Sequence, residues 1–343
     1  MRYVMAVVLA LAGSVALAAP TNWSNADWSY RAQISAFSPD AKENALVEWD
    51  VDFADLLARA GATGTFDPNS PRVMMIQAGQ EKEVPSRFFP DKDTPAAGRL
   101  SWLRLGTMGA GSSDTYSIYF DQGTSKPAKS YPELAHAKPV LGKNMLVNGT
   151  LTVADKADPS KAASWIYDAA QAAGTLELLR KIDPAGITVM KFTNTKGGES
   201  TVKATQITPV EAGKRYALCC WYKAEKESAG AVVMTGWLYT ADNKVVTGPD
   251  GAYSNYKLQV GRAAKGESPW RYMCGANIWV FDPKTKTNHE VDEDKTLPGT
   301  GLIGVDVDYC GGTGAASFTG FELREMPTGL PIGIWVTSIE KKP

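Results

Sequence analysis

Short runs of alternating apolar and polar residues, separated by turn residues, make up most of this chain. The clearest run is Arg215–Ala224. It follows a turn at Gly213 and predicts a half-buried β-strand, because strand side chains alternate between two faces. The face that we expect in a core carries Tyr216, Leu218, Cys220 and Tyr222. The opposite face joins a large aromatic ring to a long polar donor and carries Ala217, Cys219, Trp221 and Lys223.

The same pattern predicts strands along both halves of the chain. In the first half they cover Tyr30–Phe37, Leu46–Asp52, Arg72–Ala78, Leu100–Leu105 and Asp114–Asp121, with a short helix or turn at Phe53–Ala60. In the second half they cover Thr188–Thr193, Val202–Ile207, Arg215–Ala224, Ala231–Thr240, Tyr256–Val260, Trp270–Phe281, Gly301–Cys310 and Ser317–Glu325. With 32 Gly and 20 Pro spread between such runs, the chain is predicted to be all-β, and its second half is spaced like a jelly roll.

The chain divides into five segments. Arg2, the apolar stretch Tyr3–Leu17 and the small-residue pattern at Ala16–Ala18 predict a cleaved secretory signal peptide over 1–18. We then expect an N-terminal β-sandwich over 19–122, a linker over 123–143, a jelly roll over 144–326 and a tail over 327–343. Apolar residues alternate in the tail over Gly329–Ile339, so we expect this segment to add a final strand or to pack on the domain. Export predicts a secreted, periplasmic or cell-surface protein, and no later stretch is long enough to span a membrane.

Charge and cysteine content narrow the chemistry. The net charge of −1, with no block of like charge, argues against a nucleic-acid partner. All four cysteines lie in the second half, and an exported chain permits disulfides. Because Cys219 and Cys220 point to opposite faces, we expect one bridge, from Cys220 to Cys274 or Cys310; free buried thiols are the alternative.

The second half resembles jelly-roll carbohydrate-binding modules of the xylan- and glucan-binding type. The segments that carry the resemblance are, in order, Asn144–Thr150, Gln206-Ile207, Val210–Tyr216, Trp237–Lys244, Trp270–Tyr272 and Phe318–Leu323. The resemblance implies a jelly roll over about 144–326 whose partner is a polysaccharide or glycan. It also implies a structural Ca²⁺, but Thr319-Gly320 stands where the family commonly has an acidic pair, so calcium is doubtful and we expect no cofactor.

The first half resembles an accessory β-sandwich found at the N-termini of exported bacterial proteins, often beside polysaccharide-handling domains. The segments that carry this resemblance are Trp28–Arg31, Val51–Phe53, Asp67–Val73, Val84-Pro85, Gly98–Trp102 and Tyr116–Asp121. It implies an association with glycan handling and no particular reaction.

A binding site is predicted from the aromatic residues of the second half. Trp221 shares a face with Lys223, and Trp237 shares one with Tyr239; if the strands lie in one sheet, the three rings form a single aromatic platform. Trp165 is expected on a loop above it. The alternative is that the two strand faces are reversed and that these rings lie in the core. Trp270 and Trp279 are expected in the core in either case.

A metal site has one weak candidate. Asp306 and Asp308 share a face of the strand Gly301–Cys310, where they could bind a hard cation or sugar hydroxyls, or form a solvated outer face.

We therefore predict an exported, non-catalytic protein that binds a polysaccharide or glycan through this platform. No nucleophile elbow, phosphate-binding loop or zinc-protease motif occurs in the sequence. The alternatives are a structural or cell-surface protein that contacts other envelope proteins, and a glycoside hydrolase or polysaccharide lyase.

Overall fold

The computed structural model describes residues 23–123, 126–135, 140–168, 174–180, 186–196, 202–247, 254–282, 284–291, 295–326 and 329–342. The predicted signal peptide lies outside these residues. The described residues form β-sheets with one helix and a short 3₁₀ turn, which confirms the predicted fold class of two β-sandwiches, the second a jelly roll. None of the described helices is long and apolar enough to cross a membrane.

The first sandwich packs two antiparallel sheets around a buried core. Its strands are β1 (Tyr30–Phe37), β2 (Lys42–Asp52), β3 (Arg72–Gln77), β4 (Gln80–Val84), β5 (Ser86–Pro90), β6 (Ala97–Met108) and β7 (Ser113–Phe120). One sheet contains β1, β7, β3 and β4, and the other contains β2, β6 and β5. Helix α1 (Phe53–Arg59) follows β2 directly. The helix begins there because Asp52 Oδ1 accepts hydrogen bonds from the backbone N–H groups of Ala54 and Asp55, at 2.9 and 3.3 Å.

The jelly roll contains twelve strands within the described residues. They are β8 (Ile166–Asp168), β9 (Gly174–Arg180), β10 (Thr188–Asn194), β11 (Val202–Pro209), β12 (Tyr216–Ala224), β13 (Ala229–Tyr239), β14 (Ser254–Lys265), β15 (Arg271–Gly275), β16 (Ile278–Asp282), β17 (Thr287–Glu290), β18 (Leu302–Cys310) and β19 (Gly314–Glu325). In these residues the five-stranded sheet has the order β15-β12-β19-β10-β9. The seven-stranded sheet has the order β17-β16-β14-β13-β18-β11-β8. Tyr216, Leu218, Cys220 and Tyr222 of β12 are buried between the two sheets, on the face predicted for the core.

The last strand, β20 (Gly333–Lys341), belongs to the first sandwich. It pairs with β1 in antiparallel register from Tyr30 opposite Lys341 to Phe37 opposite Gly333. The segment predicted as a tail thus forms an edge strand of the N-terminal domain, and the jelly roll is inserted between β7 and β20. β20 also lies against the jelly roll, where Trp335 packs on Trp221 with ring centroids 5.1 Å apart.

Two buried arginines tie the domains together at the chain's entry into the jelly roll. Arg99 of β6 donates to Asp50 of β2 and to the carbonyls of Leu141 and Gly142. Arg324 of β19 reaches across to Asp50 at 2.6 Å and to the Gly142 carbonyl at 3.0 Å. A guanidinium from each domain therefore meets one carboxylate and one linker segment, which fixes the two sandwiches against each other.

The disulfide joins Cys219 to Cys274, so the predicted bridge through Cys220 is wrong. Cys219 and Cys274 lie directly opposite each other on β12 and β15, and their Cα atoms are 4.1 Å apart. Cys220 points to the other face, into the core, and is a free buried thiol. Cys310 is also free and partly buried.

Candidate functional site

The two sheets of the jelly roll differ in what covers their outer faces. The outer face of the five-stranded sheet, with Ala217, Cys219 and Trp221 of β12, packs against Phe37, Leu330 and Trp335 from the first sandwich and its last connection. The outer face of the seven-stranded sheet carries exposed apolar residues. Ile166 is 65% exposed and Ile207 is 48% exposed, although both are large apolar side chains of strands. We call this surface, with its centre at Trp237, the open face.

A row of directly opposed residues crosses the open face from β17 to β11. In order, the row is Glu290, Trp279, Lys257, Trp237, Gly304 and Ile207. Five strand spacings give it a length of about 24 Å. The neighbouring row is mostly polar and consists of Gln259, Thr235, Asp306, Thr205 and Ile166. Apolar rings thus alternate with polar groups across a long, shallow surface.

Trp237 is held at its edge and over its face. Its Nε1 donates to Asp306 Oδ2 at 3.0 Å, and Asp306 Oδ1 accepts from the Thr205 hydroxyl at 2.7 Å. The ammonium of Lys257 lies 4.9 Å from the centroid of the Trp237 ring and donates to Asn288 Oδ1 at 3.0 Å. Burial lowers the pKa of Lys257. These contacts fix the ring and the ammonium before any ligand arrives.

Tyr239 lies beside Trp237 over a glycine. The ring occupies the space above Gly304 into which a side chain would project, since a Cβ there would lie 2.8 Å from Tyr239 Cε2. Both Tyr239 and Trp237 are partly exposed. Together they form an aromatic surface beside Lys257 and Asp306.

The other predicted site residues lie elsewhere. Trp221 and Trp237 belong to different sheets, so the three rings do not form the single platform expected from the sequence. Trp221 does face away from the core, but the first sandwich covers it and it is only 8% exposed. Lys223 is partly exposed on the same face as Trp221.

Trp165 is part of the jelly-roll core rather than a loop residue above a platform. It packs on Phe321 with centroids 4.9 Å apart and donates through Nε1 to the Asn148 carbonyl. Ala162 and Leu151, which precede it in the sequence, are buried in the same core.

Asp306 and Asp308, the candidate cation ligands, have different surroundings. Asp306 is nearly buried, and both of its carboxylate oxygens accept hydrogen bonds from Trp237 and Thr205. Asp308 lies on the same face beside Val233 and is partly exposed. Within the described residues no group of three or more His, Cys, Asp or Glu side chains is placed to hold a metal ion.

Sequence reasoning missed two members of the open face. Trp279 was expected in the core, but it alternates with the buried Ile278 and Val280 and so points outward. Lys257 was not singled out, because a lysine in a strand ordinarily indicates a solvated position. Only the strand pairing, which places Lys257 directly opposite both Trp237 and Trp279, could have identified it as a member of the open face.

Comparisons with known proteins match structures and not sequences: neither a scan against protein-family models nor a search of curated proteins gives a match. The chain is similar to the enzymatically active domain of tailspike protein 4 from bacteriophage CBA120, at 11% identity and a TM-score of 0.36. That match covers 53% of this chain and 21% of the tailspike, so the chain spans about a fifth of that protein.

Many of the similar structures are carbohydrate-binding modules. A family 61 module in complex with β-1,4-galactotriose is 15% identical, with 53% of this chain and 97% of the module covered and a TM-score of 0.30. The tandem family 22 modules of a Paenibacillus barcinonensis protein, Xyn10C, are 11% identical, with 87% and 78% covered and a TM-score of 0.30. Similarity at this level assigns neither a ligand nor an activity to the chain.

Proposed function

We propose that this protein binds a polysaccharide or glycan on the open face of its jelly roll. The observation that carries the proposal is the contrast between the two outer sheet faces. The first sandwich packs on β12 and β15 of one face, and the other face leaves Trp237, Tyr239 and Trp279 partly exposed. Exposed aromatic clusters of this kind mark binding surfaces in monomeric proteins.

The chemistry of the open face suits a sugar chain. A flat ring covers the C–H face of a pyranose, and Tyr and Trp combine a large apolar area with a polar tip. The partly exposed Gln259 offers donors beside the rings, and the exposed Asn288 and Glu290 offer acceptors at the margin, while the buried Lys257 holds the Trp237 ring. Sugar hydroxyls both donate and accept hydrogen bonds, so a surface with both kinds of partner is suited to them.

The shape favours an extended ligand over a small one. The row through Trp237 runs about 24 Å across five strand spacings, and the polar row beside it runs about 19 Å across four. A long sheet face buries less of a ligand than an enclosed pocket does, so affinity for a single sugar unit is low and adds up along a chain. The role is that of an exported, non-catalytic binding protein.

Affinity electrophoresis of the full chain tests the proposal. Gels carry xylan, mixed-linkage β-glucan, β-1,4-galactan or alginate, and migration is compared with that in a gel without polysaccharide. We expect retardation in at least one gel. We expect Trp237→Ala and Tyr239→Ala to weaken binding by at least about tenfold, because truncating a central aromatic anchor costs more than 1 kcal/mol.

The matched control is Phe89→Ala, which removes a partly exposed aromatic ring from β5 of the first sandwich. It should leave retardation unchanged. A wild-type protein that no gel retards, or Trp237→Ala and Tyr239→Ala proteins that migrate like the wild type, would remove the basis for this site. Binding that only envelope proteins show would favour the structural alternative.

A further inference from the structure

A cleft of about 350 Å³ lies between the two sandwiches, apart from the open face. The first sandwich contributes the end of β2, helix α1 and the start of β20. The jelly roll contributes β12, β19, the start of β10 with the two residues before it, and Thr150 and Thr152. No residue of the open face lines it. Its volume is at the lower end of the range for small-molecule sites, so it admits a ligand of one or two rings.

Three tryptophans from three strands meet in this cleft: Trp49 of β2, Trp221 of β12 and Trp335 of β20. Trp335 packs between Trp221 and Trp270, with centroids 5.1 and 4.8 Å away, so its position is fixed by other rings. Trp49 and Trp335 keep part of their surface exposed. The cleft therefore offers aromatic surface that is held rigid in the absence of a ligand.

Thr319 and Gly320, where the sequence departs from the resembling family, form the jelly-roll wall of the cleft. The register of β12 on β19 shifts at this point, between Cys219 and Trp221. Gly320 has a φ of +62°, a conformation that favours glycine, and a Cβ there would lie 3.4 Å from Trp221 Cδ1. This bulge leaves room for the Trp221 ring beside the strand, so the departure from the family pattern shapes the cleft.

Polar groups on helix α1 complete the lining. Asp52 uses Oδ1 to cap the helix, and its Oδ2 accepts no hydrogen bond within the described residues. Asp55 Oδ2 accepts from Arg59 Nη1 at 3.1 Å. Thr150 and Thr152 of the jelly roll place hydroxyl groups opposite. Asp50, which also lines the cleft, is already neutralised by Arg99 and Arg324.

We infer that this cleft is a second binding site, which takes one neutral pyranose unit, free or at the end of a glycan. The tryptophans supply surface for the C–H face of the ring. Asp52 and the two threonines supply acceptors and donors for its hydroxyls. Arg59 pairs with Asp55, and its buried Nε and Nη2, which have no partner within the described residues, add donors for hydroxyls. An anionic sugar is disfavoured, because the carboxylate of Asp52 has no cationic partner within the described residues. The site combines residues of both sandwiches and exists only when they are docked.

The test measures binding of free monosaccharides to a Trp237→Ala protein, so that the open face does not contribute. Ligand-observed saturation-transfer NMR uses glucose, galactose, xylose and mannose at about 10 mM, since ligands of this size reach millimolar affinity. Galacturonate and choline are the anionic and cationic comparisons. We expect a signal from at least one neutral sugar and little from the charged ligands. Adding Trp49→Ala should weaken binding by at least about tenfold.

Trp49 also packs on the core of the first sandwich, so a second variant keeps the test independent of folding. Thr152 is an exposed residue of the cleft lining, so Thr152→Trp adds a large side chain there and should abolish binding. Phe89→Ala should have no effect. The inference is overturned if no neutral sugar binds, if choline or galacturonate binds in preference, or if neither cleft variant weakens binding. These outcomes are separate from polysaccharide retention, which reports on the open face.

Discussion

Cys219 and Cys220 are adjacent but have opposite environments, because each step along a strand reverses the face. Cys219 is bonded to Cys274 on the side that faces the first sandwich. Cys220 is fully buried in the jelly-roll core, where burial raises the pKa of its thiol well above the ordinary value. A thiol of this kind stays protonated and unreactive. The alternation of side chains thus assigns one cysteine to the bridge and the other to packing.

Asp50 is the carboxylate on which the charges of both domains converge. Burial alone would raise its pKa, but the guanidinium groups of Arg324 and Arg99 outweigh burial and hold the pKa below its usual value. Because the folded-state pKa is depressed, the stability that Asp50 contributes is present above the unfolded-state pKa of about 3.9. It is lost as the pH falls through the folded-state value.

Asp50→Asn should therefore destabilise the protein at neutral pH, and by a smaller amount as the pH falls below the unfolded-state pKa. We expect a loss of about 1–2 kcal/mol at pH 7, because two charge-assisted hydrogen-bond partners lose their anion. Urea unfolding of wild type and variant at pH 7 and at about pH 3 measures the difference. A difference that stays constant between the two pH values would contradict the assigned role of Asp50.

At the residue scale, the face of the strand on which each side chain lies could be predicted, but what covers that face could not. The sequence correctly divides β12 into a core face and an outer face with Trp221. The first sandwich covers that outer face through contacts such as that between Trp335 and Trp221, which lie 114 positions apart in the sequence. Local periodicity carries no information on such long-range contacts.

At the element scale, strands with strong alternation were predicted nearly to the residue. β1 spans Tyr30–Phe37 as predicted, and β12 differs from its prediction by one residue. The predicted strand Trp270–Phe281 is instead two strands: β15 belongs to the five-stranded sheet and β16 to the seven-stranded sheet. The chain crosses from one sheet to the other near Ala276. The sequence pattern of an apolar run does not show whether the run crosses between sheets.

Strand β20 connects the two domains through a close approach at its first residue. Gly333 lies against the ring of Tyr272 on β15, and a Cβ at this position would lie 2.5 Å from the ring atoms. Tyr272 is also in contact with Phe37 and Trp221, so it has little freedom to move aside. Glycine is required here by the space between the domains.

Gly333→Ala should force β20 and β15 apart and destabilise the protein by about 1–3 kcal/mol, the usual cost of overpacking. Thermal unfolding measures the loss, and near-ultraviolet circular dichroism reports the altered packing of Trp221 and Trp335. Gly109→Ala is the matched control, because a Cβ there meets nothing closer than 3.8 Å. Equal unfolding temperatures for the two variants would show that β20 does not pack on Tyr272 as described.

At the scale of the whole molecule, the insertion of the jelly roll between β7 and β20 decides which surface is free to bind. The chain leaves the first sandwich after β7 and returns to it through β20, so the inserted domain is anchored at both ends. This anchoring closes the outer face of the five-stranded sheet and turns the open face of the seven-stranded sheet toward solvent. The proposed ligand class rests on the resemblance of the second half to sugar-binding modules, and the proposed surface rests on the domain arrangement.

Hydroxyl-radical footprinting of the full chain, with and without a polysaccharide that retards it, tests the central claim most directly. We predict protection of Trp237, Tyr239 and Trp279, with no change at Phe89 on the first sandwich. Protection confined to the first sandwich, or oxidation of Trp237 and Tyr239 that the polysaccharide leaves unchanged, would contradict the assignment of glycan binding to the open face.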